Sequence, residues 1–533
     1  RRRGGAGWPT LPVEKVRGMG SVSRKELELK IELTPEELQR LGAHPALADL
    51  TIGKPVTRVL RSIYFDTPNH RLRAHGISLR LRAIDEQWVQ TVKGGANGKG
   101  EIRSGVSNPD ELEAIVARPE PDLAAIDDVK VRRTIERLAR RSALEPQFET
   151  IITRTTRQLH SDKGDLELAL DEGVVRAGGA EGRLCEAELE LKAGSPECLL
   201  ETAAALFSSE PVRLADCTKA DRGYELALGR SDRSLAPHKA HNPALTGAET
   251  CGEALGMFVA SATEQIVANR NAVLETDDPE AAHQLRVGLR RLRSALRAFR
   301  PIENSAATRE LAQHARALGQ SVADLRNADI FIEDVHAPVA ATRKGEAGFA
   351  ELREALLAHR AAMRAKARAA LASEQWSKLQ LYLALWPQTV KDNPRLAAPV
   401  RFFADEALGR SWKRIAKRGA RLDALSLEQR HEMRKALKGF RYTVEFFGSL
   451  YDSRAVGRFV KDLKKLQDVF GYVNDVATAQ ALNVIAEERC PADPAAQRAA
   501  GYALGWHQVR SEHAWAGVAD VWGRLAKRSR FWA

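Results

Sequence analysis

From Lys25 the chain alternates. In KELELKIEL, residues 25–33, Glu26, Glu28, Lys30 and Glu32 share one face and Leu27, Leu29, Ile31 and Leu33 the other, which is the two-residue period of a β-strand. The pentapeptide ELELK of residues 26–30 returns letter for letter at 188–192, inside CEAELELK. Between the copies, RSIYFDTPNHRL, ISLRLRAI, QWVQTVKGG, GEIRSG, FETIITRTTRQL and DLELALDEG read as further strands broken by turns, and Thr34-Pro-Glu-Glu opens a helix. Charge keeps to one face of these strands. Arg80 and Arg82 oppose Leu79 and Leu81, Lys93 is in phase with Thr91, and Asp165, Glu167 and Asp171 are in phase. A single strand with its charges in water is ordinary. Several strands with wholly charged faces of both signs predict a closed barrel turned inside out, its charges lining the lumen and its leucines lying under outer helices. Such a lumen suits a polyanion bridged to a hard cation, because E-x-E carboxylates converge as oxygen ligands for Mg²⁺ or Mn²⁺ and alternate Arg and Lys clamp phosphate oxygens.

After about residue 250 the period changes to that of helices, and a motif repeats. AAHQLRVGLRRLRSALRAF and RHEMRKALKGFRYTVEFF align so that His283, Arg286, Arg290 and Arg293 stand against His431, Arg434, Lys438 and Arg441. The shared spacing confines each set to roughly 80° of one helix face, a basic stripe in each copy. Each copy also carries a later acid, Asp329 in LRNADIF and Asp475 in GYVNDVA. A basic face is usually only solvated. Its repetition in the same register points to a site.

Charge sharpens the division. Residues 1–250 carry 38 Lys and Arg against 38 Asp and Glu, and residues 251–533 carry 44 against 32, so the whole net charge of +12 lies in the second half. The polar GRSDRSLAPHKAHNPALTG, residues 229–247, reads as a linker. At 533 residues, 44% hydrophobic and 29% charged, the chain is long enough for at least two globular domains. No run of 18 apolar residues could span a bilayer. Five scattered cysteines without metal spacing fit a reducing compartment, so the cytoplasm is expected. The residues before Met19-Gly-Ser lack a secretory core and read as a leader outside the fold.

The ordered motifs of the first half resemble the CYTH family, the triphosphate tunnel metalloenzymes. ELELK at 26–30 is similar to its ExExK signature, and YFDTP, SLRLR, TVK, Arg154, ALDEG, CEAELELK and TKADRGY follow in order over residues 24–229. The resemblance implies an antiparallel tunnel that binds a linear triphosphate beside a glutamate-held divalent metal. By it, Glu26, Glu28, Asp171, Glu186 and Glu188 are the expected metal-site acids, with Glu190 in phase further along the strand. Lys30, Arg80, Arg82, Lys93, Arg154 and Lys219 are the expected triphosphate contacts, and Glu28 and Lys30 the expected catalytic pair. One departure stands out: relatives carry Arg-x-Glu after the TVK strand, and this chain has Arg103-Ser-Gly105.

The second half resembles the CHAD domain over about residues 250–520, through HQLRVGLRRLRSALR, HEMRKALKGFRYTVEFF and LKKLQDVFGYVND. That likeness implies two four-helix repeats and binding of inorganic polyphosphate. His283, Arg286, Arg290, Arg293, His431, Arg434, Lys438 and Arg441 are the expected contacts, joined by Lys413, Arg414 and Lys464, with Lys461 and Lys465 adding to the basic surface. A flexible polyanion needs only many cations and counterion release. The same face would serve nucleic acid, although no RNP-like aromatic motif or clear DNA-reading helix is present. The expected layout is a leader (1–20), a tunnel domain (21–229), a linker (230–248) and a helical domain (249–533). The expected activity is metal-dependent hydrolysis of tripolyphosphate or short polyphosphate, with association with polyphosphate granules a further expectation. Thiamine triphosphate hydrolysis, nucleoside triphosphate hydrolysis, cyclisation of ATP and non-catalytic polyphosphate binding stay open as alternatives.

Overall fold

The computed structural model describes residues 27–84, 87–94, 106–107, 111–207, 212–215, 218–228 and 235–532. The chain forms two compact units that part between residues 232 and 233.

The first unit is an antiparallel sheet with helices. Its strands are β1 (Leu27–Glu32), β2 (Thr51–Asp66), β3 (Ser78–Ile84), β4 (Gln87–Lys93), β5 (Val106–Ser107), β6 (Glu111–Val116), β7 (Glu145–Ser161), β8 (Gly164–Ala177), β9 (Ala180–Gly194) and β10 (Arg213–Leu214). Pairing runs β10-β1-β9-β8-β7-β2-β3-β4-β6, and β5 pairs with β1. Thus β5 and β6, near neighbours in sequence, lie at opposite ends of the path. The two ELELK copies meet antiparallel, with Lys30 opposite Glu188 and Glu28 opposite Glu190. Asp171 of β8 lies opposite Glu186, and Arg154 of β7 opposite Asp171. Alternation therefore gathers the charged faces of four adjacent strands, while Leu29, Ile31, Leu168 and Leu189 on the other faces are fully buried.

The helix Pro35–Gly42 begins with a capping box in which Thr34 and Glu37 satisfy each other's backbone amides. Val131, Ile135 and Leu138 of the helix Val129–Ala139 pack on Leu79 and Leu81 of β3, each such burial contributing about 2 kcal/mol. The buried Asp66 of YFDTP accepts hydrogen bonds from the amides of Thr67 (2.6 Å), Leu72 (2.8 Å) and Arg73 (3.0 Å) and from the Tyr224 hydroxyl (2.9 Å). Asp66 thereby fixes the helix Lys219–Leu228, which bears Tyr224 and begins at Lys219. Gly223 permits that helix to lie close, since a Cβ there would fall 2.2 Å from the Phe148 ring.

The second unit is helical. The two motif copies occupy helices of equal length, Pro279–Phe299 capped by Asp278 and Leu427–Phe447 capped by Ser426, and these helices pack together. The other long helices are Cys251–Glu275, Ala306–Ser321, Phe349–Leu371, Glu374–Thr389, Val400–Gly419, Ser453–Ala479 and Pro494–Ala516. Phe258, Phe299, Phe446 and Phe447 cluster in the main core, Phe258 stacked on Phe446 and the other pairs tilted or edge-on. A smaller core forms around Phe331, Val335, Phe349 and Leu482, next to a π-helical turn at Phe331–His336.

The described part of the expected linker is strapped to this bundle. The His238 amide donates to Asn269 Oδ1 (3.0 Å), Asn269 Nδ2 to the His238 carbonyl (2.8 Å), Ser261 Oγ to the His241 carbonyl (2.6 Å) and the Leu245 amide to Ser449 Oγ (2.8 Å). No helix among the described residues is long and apolar enough to cross a membrane.

Candidate active site

Strand alternation places six charged side chains of the first unit in one connected network, which Lys219 joins from the helix Lys219–Leu228. Glu28 Oε1 lies 3.2 Å from Lys30 Nζ, which donates to Glu188 Oε1 at 2.5 Å. Arg154 forks onto both oxygens of Asp171 (2.7 and 2.6 Å), and its Nη2 also reaches Glu188 Oε2 (2.5 Å). Lys219 Nζ closes the network on Glu186, Glu188 (2.8 Å) and Asp171 (2.9 Å). Asp171, Glu186, Glu188 and Lys219 are buried.

Burial alone would neutralise Glu188, Asp171 and Lys219, and each of the three is held charged by its partners. Burial pushes the Glu188 carboxyl up, but Lys219, Lys30 and Arg154 hold it well below its ordinary range, and Asp171 is held down in the same way by Lys219 and Arg154. Conversely, burial lowers Lys219, and Asp171, Glu186 and Glu188 raise it far above a free lysine.

Asp171, Glu186 and Glu188 can each offer an oxygen within 4.8 Å of the others. An all-oxygen, hard, anionic set of this kind fits a divalent cation of the Mg²⁺ or Mn²⁺ type. The position is framed by the Lys219 ammonium, itself a cation bonded to all three. Glu28 adjoins through Lys30, whereas Glu26 lies outside the described residues. Glu190 is bonded to Lys192 (2.6 Å) and does not join the network.

The cationic wall stands on β3. Arg80 is buried, and Arg82, whose Nε donates to Ser62 Oγ (3.2 Å), is lowered to about 10 by Arg80 and by burial. Lys93 ends β4 opposite Ser78. Two residues here escaped sequence reasoning. Tyr64, opposite Arg80 on β2, is fully enclosed; burial pushes its phenol up, but Arg80, Arg82 and Lys219 pull it below its ordinary value. Its phase with Ser62 on β2 was the available signal. Glu113 of β6 accepts from Thr91 Oγ1 (3.2 Å), placing a carboxylate beside the β4 wall. Arg103 to Gly105, the site of the departure noted in sequence, lie outside the described residues.

In the second unit the two motif helices border a cavity of about 820 Å³. His283, Arg290, Arg434, Lys438 and Arg441 line it. Several of these cations are already engaged: Arg434 with Asp475 (3.4 Å) and Arg441 with Glu445 (2.7 Å). Arg290 and Lys438 have no ion pair or side-chain hydrogen bond among the described residues. Arg286 and His431 are not part of the lining: Arg286 donates to the Ala323 carbonyl (3.0 Å), and exposed His431 bonds Asn474 (2.9 Å). Arg293 neighbours Arg297 and Arg316. Lys413, Arg414 and Lys464 are exposed and do not line the cavity.

The strap adds residues the stripe could not announce, since Lys239 and Asn242 form part of the lining. Buried Arg291, one position from the stripe, latches the strap through Asn242 Oδ1 (2.7 Å) and reaches Glu445 (3.3 Å).

Comparison with known proteins agrees with this division. Residues 24–224 match the CYTH domain and residues 258–483 the CHAD domain. An inorganic triphosphatase of Haemophilus influenzae is 30% identical over 209 residues, covering 39% of this chain and 56% of that protein. The crystal structure of the CHAD domain from the plant Ricinus communis is 28% identical, covers 56% of this chain and 99% of its own, and superposes with a TM-score of 0.50. PptA from Streptomyces chartreusis is 16% identical over 52% of this chain and all of its own, with a TM-score of 0.41. With the acidic network in the first unit and the paired basic helices in the second, the chain carries a CYTH domain over residues 24–224 followed by a CHAD domain over residues 258–483.

Proposed function

We propose that the first unit is a divalent-metal-dependent inorganic triphosphatase acting on tripolyphosphate or short polyphosphate, and that the second binds polyphosphate. The observation that carries the first reading is the buried acid trio interleaved with Lys30, Arg154 and Lys219 beside Arg80 and Arg82. Glu28, Asp171, Glu186 and Glu188 would hold Mg²⁺ or Mn²⁺, which when bound supplies Lewis-acid polarisation of a phosphoryl oxygen and a more acidic water. The chain's own residues do the rest. Arg80, Arg82 and Lys30 neutralise phosphate oxygens and align the chain, preorganised charge in an enclosed site being the main resource of phosphoryl transfer. Arg154 and Lys219 hold Asp171 and Glu188 ionised and in place. The relative from Haemophilus supports the reading by its name and its partial match.

The test is phosphate release from tripolyphosphate, ATP and thiamine triphosphate with Mg²⁺, Mn²⁺ or chelator. Tripolyphosphate with metal is expected to be fastest, and Glu188→Gln to lower turnover at least about 100-fold. Turnover unchanged by chelator, or by this substitution at saturating metal, refutes the assignment. ATP as the preferred substrate would replace the substrate and keep the site.

For the second unit, support comes from Arg290 and Lys438, basic side chains without an ion pair that line one cavity from the two repeats. Arg290→Glu with Lys438→Glu should weaken polyphosphate binding far more than the same reversal at exposed Lys344 and Lys391. Arg364 and Arg368, basic residues outside the stripe, cannot serve as that control, because both are bonded to Asp277. Equal losses would reduce binding to bulk charge.

A further inference from the structure

Lys438 occupies an unusual position in the cavity. Its side chain lines the space, yet no acid is bonded to it. The groups around it are mostly of its own sign. From its own helix come Arg434 and Arg441; from the helix Pro279–Phe299 come His283, Arg286 and Arg290; from the strap comes Lys239. Acids face the space from three elements: Asp468 and Asp475 from Ser453–Ala479, Asp334 from the π-helical turn, and Glu445 from the Lys438 helix. Asp475 is shared with Arg434 and Glu445 is taken by Arg441 and Arg291. His507 bonds Tyr472 (2.8 Å) and the Val335 carbonyl (2.9 Å).

We propose that Lys438 is the proton-linked residue of the cavity, so that a phosphate chain enters it together with one proton, which Lys438 takes up from solvent. This rests on the polyphosphate reading above and adds to it how binding is regulated. Above pH 7 the amine nitrogen is mostly neutral when no chain is bound and becomes an ammonium when phosphate oxygens line up beside it. There the charge balance approaches one proton gained by the protein for each chain bound.

Electrostatics give the direction. Burial first, then Arg290 and Arg434, lower the Lys438 amine to about 7, against a weaker upward pull from Asp475. A bound polyanion reverses the local field and raises the amine again. The folded, bound form then has the higher proton affinity, so binding is strongest below pH 7 and weakens as pH rises, by up to about tenfold per pH unit for a single linked proton. Arginine cannot show this behaviour, because it stays protonated throughout. The repeat places Arg290 where the other copy has Lys438, so one member of the pair is fixed and the other titrates.

The test uses the full chain, long-chain polyphosphate and chelator to suppress hydrolysis. Titration calorimetry at pH 6 and pH 8 in buffers of different ionisation enthalpy counts the protons taken up, for the wild type, Lys438→Arg and Lys438→Met. The wild type should take up nearly one proton more than Lys438→Arg at pH 8 and little more at pH 6. Its affinity should fall with pH more steeply than that of Lys438→Arg. Lys438→Met, permanently neutral, should bind more weakly than wild type at pH 6 and share the shallow slope of the arginine variant, which keeps the test open if one variant misfolds. Equal proton uptake in wild type and the variants overturns the proposal while leaving polyphosphate binding in place. No binding of polyphosphate by the wild type at either pH overturns the underlying reading instead.

Discussion

At Lys219 one ammonium serves three carboxylates in a buried place, and each would be costly without the others. Lys219→Ala should therefore destabilise the first unit in chelator by about 3–5 kcal/mol, the usual result of leaving buried charges without a partner. It should also make the fold more dependent on metal, since a cation that binds only the folded state stabilises it by mass action. The expected outcome is a larger rise in Tm with Mn²⁺ or Mg²⁺ for Lys219→Ala than for wild type. An equal shift would mean the trio does not seat the metal. Asp329 shows the opposite condition. It is buried, neither oxygen has a hydrogen-bond partner, and its nearest cation, Arg360, stands 3.9 Å away. Burial raises its carboxyl to about 6. A folded-state value above the unfolded one means that its contribution is present below about pH 4 and lost as pH rises through 6. Asp329→Asn should accordingly raise stability at pH 8 by about 1–3 kcal/mol and give little gain at pH 4, read by thermal melts at both.

Among elements, the strap matters most for how the second unit should be handled. A fragment of residues 250–533 would lose the partners of Asn269, Ser261, Ser449 and Arg291, at about 1 kcal/mol for each hydrogen bond, and would lose Lys239 from the cavity. A fragment of 235–533 keeps them. The longer fragment should melt higher and bind polyphosphate more tightly; identical behaviour would make the strap a passive connection. The strap was illegible in the sequence because its composition, polar with Pro, Gly and His, is that of a free linker, and all of its anchors but the Asn242 side chain are backbone amides and carbonyls that almost any residue supplies. The strands were legible for the opposite reason. A two-residue period with leucines on one side has one register that buries them, so ELELK and its copy had to present their acids together. Which acids would share a cation was not legible. Lys219 reaches the trio from a helix whose approach depends on Gly223, Phe148 and the Asp66 to Tyr224 bond, none of which alternation encodes. In the helical unit the stripe located the helices that meet at the cavity, but spacing alone could not separate Arg290 and Lys438, which face open space, from Arg286, spent on a carbonyl.

Over the whole molecule, the two units handle charge in different ways, and salt should distinguish them. Polyphosphate binding by the second unit should weaken steeply as salt rises, since it depends on releasing counterions from many phosphates. Catalysis in the first should respond less, because its ion pairs are buried and poorly screened. Equal salt slopes for affinity and for KM would argue against separate sites. The seven-member network of the first unit also constrains what can enter it. Glu28, Asp171, Glu186 and Glu188 are set against Lys30, Arg154 and Lys219, with Arg80 and Arg82 nearby, so the fixed charges of the site nearly cancel. A site already close to electroneutral has little appetite for a bare anion or a bare cation. Its natural guest is a package whose own charges largely sum away, delivered in one step, like a sealed envelope and not like letters posted separately.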